Sequence, residues 1–223
     1  MINMKFVLHT YRRCPFCIRV RVLMYVKGFE YEVIEEPMRK WTGWMQGWAE
    51  ENGERARVPV LRYVGKDGVE HILPESRDIN MFLDSLGDRG SEFTPETGSE
   101  SFVAMEEWIT WHDDEMKPAL DTYKYGENLQ FDIEKNVGHT KELGTYLQKL
   151  EERLKEHSYL VDDRLTLADI AIIPFIRQIM RTREGEFDFT DFPKVLAWAN
   201  AMIETDWFKG EVMKKYPLAE VGT

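Results

Sequence analysis

The chain has 223 residues, 43% hydrophobic and 31% charged, an ordinary globular composition with room for one large domain or two small ones. A net charge of −11 argues against nucleic acid as the main partner, and no apolar run approaches the roughly 20 residues that a membrane helix needs. Two cysteines, Cys14 and Cys17, are too few for a disulfide scaffold, and Met1–Leu8 does not read as a secretory leader, so the expected compartment is the cytoplasm.

In chain order, Phe6–His9 predicts a short buried strand. Pro15 then opens a helix to Lys27, because a proline at the first helical position gives up an N–H that would be orphaned anyway. Gly28 ends that helix. Tyr31–Ile34 reads as a second strand. The segment Glu35–Arg57, with Trp41, Trp44 and Trp48, is expected to hold a short helix against the sheet. Val58–Val64 and Val69–Leu73 predict an antiparallel hairpin closed by Gly65–Gly68. Ile79, Phe82, Leu83 and Leu86 fall on one face of a helix that stops at Gly87. The order β-α-β, β-β-α predicts an α/β domain over residues 1–87, with a small mixed sheet covered by helices.

Residues 88–99 read as a linker, rich in Gly, Pro, Ser and Thr. Residues 100–223 predict an all-α helical bundle domain with no strand. Its first long helix carries Phe102, Met105, Trp108, Ile109 and His112, and Pro118 marks a kink or break. Leu143, Leu147, Leu150 and Leu154 form a stripe on a second helix. Leu167–Met180 is apolar almost all round, as in a helix at the centre of a bundle. Pro193 opens a further helix, Val195–Ile203.

Charge is distributed unevenly. Residues 1–87 carry a net charge of +1 and the remainder −12, and His9–Phe29 contains no acidic residue. That window holds Arg12, Arg13, Arg19, Arg21, Lys27 and both cysteines. The pair Cys14-Pro15-Phe16-Cys17 follows a strand and opens a helix, the setting in which this spacing signals redox chemistry. Cys14 would take the N-cap, where the helix dipole, backbone N–H groups and nearby arginines favour a thiolate. Cys17, one turn on and more buried, would resolve its mixed disulfides. Two other readings stay open: a zinc site completed by His9 and His71, short of cysteine ligands, and two structural cysteines. Val58-Pro59 suggests a cis bond beside the cysteines, or an ordinary edge-strand proline. Ser76, at the start of a helix, and Glu75 beside it could hold an α-amino-acid head group, or Ser76 could be a plain cap.

The set Cys-Pro-Phe-Cys, Val-Pro-Val-Leu and Pro-Glu-Ser-Arg-Asp-Ile resembles the thioredoxin-fold domain of a glutaredoxin. With its helical C-terminal half, the chain resembles the two-domain bacterial glutaredoxins and, more widely, the glutathione transferase superfamily. Thr166-Leu-Ala-Asp169 is similar to the capping box at the start of that superfamily's central helix, and Phe192-Pro193 with Trp198 resembles its late helix. The resemblance spans roughly residues 4–210. It implies Cys14 as nucleophile, Cys17 as resolving thiol, Val58 on the cysteinyl backbone of glutathione and Pro59 as a cis proline. It further implies Glu75 and Ser76 on the γ-glutamyl group and Arg57 near the glycine carboxylate. Phe16 replaces the tyrosine common in small glutaredoxins, and Tyr11 replaces a lysine.

Three functions follow as expectations. The first is a glutathione-dependent thiol-disulfide oxidoreductase reducing disulfides and protein–glutathione mixed disulfides, with glutathione as co-substrate and no metal. The second is a glutathione transferase, for which Tyr11 would activate glutathione and Trp108, Trp111 and Met105 would wall an apolar pocket. The third is a non-enzymatic interaction protein of the same fold, against which Cys17 argues. Expected partners are glutathione and glutathionylated or disulfide-containing proteins or small disulfides, with the chain a monomer or homodimer.

Overall fold

A computed structural model describes residues 4–87, 90–125, 133–182 and 187–221, with the backbone alone for 133–139. Two linker residues, 88 and 89, lie outside the described residues. The chain divides into two compact units, Met1–Ser91 with Asp206–Thr223, and Glu92–Thr205.

The first unit is built on a four-stranded sheet. β1 (Lys5–Thr10) pairs in parallel with β2 (Glu32–Glu35) and antiparallel with β3 (Val60–Val64), which pairs antiparallel with β4 (Glu70–Leu73), giving the order β2-β1-β3-β4. Parallel neighbours need a crossover, supplied by α1 (Pro15–Val26). Gly28 ends this helix in the left-handed region at φ +71°, where a side chain would be strained. β3 starts two residues later than expected, because Val58–Pro59 is a cis bond and Pro59 has no N–H for the ladder.

Strand alternation divides the core between the two faces. Phe6, Leu8 and Leu61 share one face; Tyr63, on the same face, stacks on Phe82 of α3 (Ser76–Ser85) with centroids 4.4 Å apart. The predicted tryptophan-rich helix is α2 (Gly43–Glu51), where Met45, Trp48 and Ala49 pack with Val60, Ile72, Trp41 and Trp44. A buried polar knot ties that helix to the sheet. The Glu36 carboxylate meets His9 Nδ1 at 2.7 Å and accepts from the Thr42 N–H at 3.0 Å and the Thr42 hydroxyl at 2.9 Å.

The last residues depart from the expected all-helical 100–223 domain. Asp206–Thr223 lie in the first unit, and Leu218 bridges Glu35 in parallel, a strand-like contact that the sequence reading did not anticipate. The cause is apolar. Phe208 and Val212, in a π-helical turn, are buried, and Trp207 stacks on Tyr25 of α1 at 4.8 Å.

The second unit is helical. α4 (Glu100–Trp111) is capped by Ser99, whose hydroxyl accepts from the Phe102 N–H at 3.1 Å. A π-helical turn, His112–Met116, joins it to α5 (Lys117–Tyr125) one residue ahead of Pro118. That is the irregularity the proline predicted. α6 (Ile133–Glu156) buries the Leu143, Leu147, Leu150 and Leu154 stripe. α7 (Leu167–Arg181) is buried on nearly every side despite Pro174 inside it. The buried Glu151 carboxylate of α6 accepts from the N–H groups of Lys194 and Val195, closing the start of α8 (Pro193–Ile203).

The capping box forms as expected and extends further. Asp169 is wholly buried and accepts from the N–H groups of Thr166 (2.9 Å) and Leu160 (3.0 Å), the Thr166 hydroxyl (3.0 Å) and Trp198 Nε1 (3.2 Å). One carboxylate thus joins the 160s loop, α7 and α8. Asp169→Ala strands four buried donors and should cost about 3 kcal/mol or more. A urea titration of the folded variant measures this, and a loss under about 1 kcal/mol would show that the four bonds are individually dispensable.

Candidate active site

The two cysteines are presented by a tight turn followed by a helix. Thr10 ends β1, and the chain turns through Tyr11–Cys14, closed by the Cys14 N–H donating to the Tyr11 carbonyl at 2.9 Å. Cys14 has extended backbone and is the N-cap of α1, with Pro15 at the first helical position. The Cys14 carbonyl accepts the first intrahelical bond from Ile18 at 3.0 Å. The sequence thereby places a half-buried sulfur at the positive end of the helix and a wholly buried one, Cys17, one turn on. Both are free thiols.

Their environments separate them. Cys14 is lowered from the usual thiol range to about 7. The first cause is hydrogen bonding from the Cys17 thiol; burial works against it, and the N–H groups of Cys17 and Phe16 and the charge of Arg19 add to the lowering. Cys17 moves the other way, because burial and the adjoining Cys14 both disfavour its thiolate. The Tyr11 N–H points at Cys17 Sγ, 3.3 Å away.

The other predicted residues are brought to this point by separate elements. The Cys14 thiol is 3.9 Å from the Val58 carbonyl, in the cis Val58–Pro59 segment ahead of β3. Arg57 pairs with Glu75 and with Glu54, both at 2.8 Å. Glu75 is the N-cap of α3 and Ser76 its first residue. Ser76 is buried, and its hydroxyl faces Nη1 of Arg19 at 3.4 Å, while the Arg19 guanidinium lies 4.8 Å from the Phe16 ring centroid. Cys14, Val58, Pro59, Arg57, Glu75 and Ser76 therefore form one continuous patch. Tyr11 meets the cysteine turn through its backbone, and its hydroxyl accepts from Nη2 and Nε of Arg13, at 2.6 and 3.1 Å.

The basic window acts more selectively than its composition suggested. Arg19 is the arginine felt at Cys14 and is fully buried. Arg21, also fully buried, is turned to the C-terminal segment, where it donates to the carbonyls of Lys214 and Glu211 at 3.0 and 3.3 Å. Arg12 contributes its backbone, donating to Glu35 at 2.6 Å. Sequence reasoning singled out neither Glu35 nor the Arg19–Ser76 contact. The available signal was two arginines inside the apolar run Ile18–Met24, which must find polar partners in the interior. Among the described residues, no cluster of three or more His, Cys, Asp or Glu side chains is arranged to hold a metal.

The glutathione S-transferase N-terminal domain family matches residues 8–90, and the glutathione S-transferase C-terminal domain family matches residues 119–206. The chain belongs to the glutathione S-transferase superfamily. Among curated relatives, the glutathione S-transferase-like protein LUC7 of a Fusarium species is 29% identical over 164 residues, 70% of this chain and 72% of its own. Glutathione S-transferase U28 of Arabidopsis thaliana is 23% identical over 204 residues, 91% of this chain and 86% of its own. The fold is that of a glutathione transferase family member from Pseudomonas fluorescens, solved with two glutathione molecules bound. The match has a TM-score of 0.77 at 17% identity, over 93% of this chain and 92% of the other. The transferase URE2P8 of Phanerochaete chrysosporium, solved with oxidized glutathione, matches with the same TM-score and identity, covering 93% of each chain. The thioredoxin-like sheet is thus the N-terminal half of this superfamily's architecture.

The electrostatics make a direct prediction. Alkylation of Cys14 should rise with pH about a midpoint near 7, because only the thiolate attacks. Cys17 should stay unlabelled in the folded protein. Arg19→Gln removes a positive charge and should move the midpoint upward; a midpoint that stays put, measured by mass-resolved iodoacetamide labelling, would remove Arg19 from the set of causes.

Proposed function

We propose that this chain is a glutathione-dependent thiol-disulfide oxidoreductase acting through the Cys14 thiolate. One observation carries the reading: a half-buried thiol with lowered pKa caps a helix opposite the Val58 carbonyl, one turn from a buried thiol with raised pKa. The names and bound ligands of the superfamily members above support glutathione as the co-substrate.

On a glutathionylated protein, the Cys14 thiolate attacks the glutathione sulfur. The protein–glutathione S–S bond breaks, a Cys14–glutathione S–S bond forms, and the protein sulfur leaves as a thiolate and takes a proton. A second glutathione, as thiolate, then attacks the glutathione sulfur of that mixed disulfide. Cys14 leaves as the thiolate and glutathione disulfide is released. On a protein or small disulfide, Cys14 displaces one sulfur and Cys17 then attacks Cys14 Sγ, giving an internal disulfide and the second free thiol. Two glutathione molecules return the pair to dithiol: the first opens the internal disulfide to a Cys14–glutathione mixed disulfide, and the second releases Cys14 and leaves as glutathione disulfide.

Glutathione would lie along the patch already described. Val58 offers backbone N–H and C=O to the cysteinyl residue, and Ser76, at the start of α3, takes the γ-glutamyl carboxylate. Glu75 takes the ammonium group. Arg57 reaches the glycine carboxylate by exchanging its partly exposed ion pairs with Glu54 and Glu75, which are worth little individually.

A second reading, conjugation of glutathione to small electrophiles, is supported by the names of the curated relatives and by Tyr11, whose hydroxyl is held near the cysteine turn by Arg13. Cysteine substitutions separate the roles. Cys14→Ser should abolish turnover of mixed disulfides and of protein disulfides. Cys17→Ser should keep mixed-disulfide turnover within a few-fold, because free glutathione resolves the Cys14 adduct, and should lose most protein-disulfide reduction. Equal loss of mixed-disulfide turnover in both folded variants would contradict the assigned division.

A further inference from the structure

The turn that presents Cys14 is fastened by more than its own hydrogen bonds. The Tyr11 N–H is directed at Cys17 Sγ, the Cys14 N–H closes on the Tyr11 carbonyl, and the Arg12 N–H between them donates to Glu35 Oε1 at 2.6 Å. Glu35 is the last residue of β2 and is buried. Its backbone holds the same neighbourhood from the other side, since Glu36 N–H donates to the Thr10 carbonyl at 2.8 Å and Ala219 N–H donates to the Glu35 carbonyl at 2.9 Å.

A buried carboxylate needs a nearby positive charge or donors. Burial pushes the Glu35 carboxyl up, and the Arg12 N–H and the charge of Arg21 pull it back. Arg21 in turn depends on the C-terminal segment. Its Nη2 is satisfied by the carbonyls of Glu211 and Lys214, and Tyr216 lies under its guanidinium at 5.4 Å. The C-terminal segment therefore reaches Glu35 directly through the Ala219 N–H, and also holds Arg21, whose charge is felt at the Glu35 carboxyl; Glu35 in turn holds the Arg12 N–H, two residues before the nucleophile.

We propose that Glu35 is a positioning residue for the Cys14 turn and that the segment Lys214–Ala219 is the strap that holds Glu35 in place. Glu35 touches neither sulfur. Its carboxylate fixes the plane of the Arg12 peptide, and thereby the direction in which Cys14 leaves the turn and caps α1. The inference rests on Cys14 being the reacting thiol.

Three single substitutions test it on the full-length chain. Glu35→Ala removes the acceptor and should speed hydrogen exchange of the Arg12 amide at least tenfold. It should also slow iodoacetamide labelling of Cys14 at pH 7 several-fold. Glu35→Gln keeps an acceptor oxygen but loses the charge beside Arg21. It should lower the melting temperature while restoring Cys14 labelling to near the wild-type rate, a split that loss of stability alone would not give. Ala219→Pro deletes the N–H that reaches the Glu35 carbonyl and restricts the backbone of Leu218 beside it, so it loosens the strap without touching Glu35, and tests the strap even if Glu35→Ala fails to fold. It should raise Arg12 amide exchange and lower Cys14 labelling in the same proportion. Unaltered Cys14 labelling in folded Glu35→Ala would overturn the positioning role. Arg12 exchange and Cys14 labelling both unaltered in Ala219→Pro would overturn the strap. A Cys14 that fails to label in the wild type would instead overturn the functional reading beneath both.

Discussion

The first unit turns on one constraint: a half-buried thiol stands at the start of a helix most of whose residues are buried. A thiolate at an N-cap gains from the helix dipole and from unbonded backbone N–H groups, but burial costs it solvation. The balance is settled by neighbours: the Cys17 thiol first, then the N–H groups of the first turn and Arg19. Because α1 is largely buried and lies against α3 and the C-terminal segment, each of its arginines must be matched inside the protein. Arg19 is directed to Ser76 and Phe16, Arg21 to the carbonyls of Glu211 and Lys214.

The same arrangement brings the cysteine turn and the Val58 and Ser76 segments together. The strand that follows the cis Val58–Pro59 bond, the helix that begins at Ser76 and the helix that begins at Pro15 all start at the same end of the sheet, where β1 and β4 finish. A peptide laid there would find backbone groups at Val58 and a helix N-terminus at Ser76. Charged groups stand beside that path as one cluster, Arg57 paired with Glu75 and Glu54. The helical unit has its own apolar packing around α7 and two buried carboxylates: Asp169 accepts from the N–H groups of Leu160 and the N-cap Thr166, and Glu151 from those of Lys194 and Val195 in the first turn of α8.

Much of this was legible in the sequence because the signals are local. Pro15 and Gly28 bracket α1, the hairpin is announced by Gly65–Gly68, and Thr166 with Asp169 announces α7. The three site motifs were legible for the same reason, since each sits where a strand or turn hands over to the next element. What escaped was long-range. Glu35 looks like an ordinary acidic residue at a strand end, and nothing nearby in sequence marks it as the acceptor for the Arg12 N–H. The return of Asp206–Thr223 to the first unit depends on Phe208 and Val212 finding an apolar face formed some 180 residues earlier, which periodicity cannot encode. The buried arginines were the visible hint, because a cation inside an apolar run requires a partner that the local sequence does not provide.

The most direct test of the central claim sets two reactions side by side on one preparation of the purified wild-type protein. These are glutathione-dependent turnover of a small glutathione mixed disulfide and conjugation of glutathione to an aryl halide, each compared with Cys14→Ser. A thiolate at Cys14 built for disulfide exchange predicts that mixed-disulfide turnover is much the faster, with a pH midpoint near 7, and that it disappears in Cys14→Ser. Efficient aryl halide conjugation that survives in Cys14→Ser, with negligible mixed-disulfide turnover in the wild type, would contradict it.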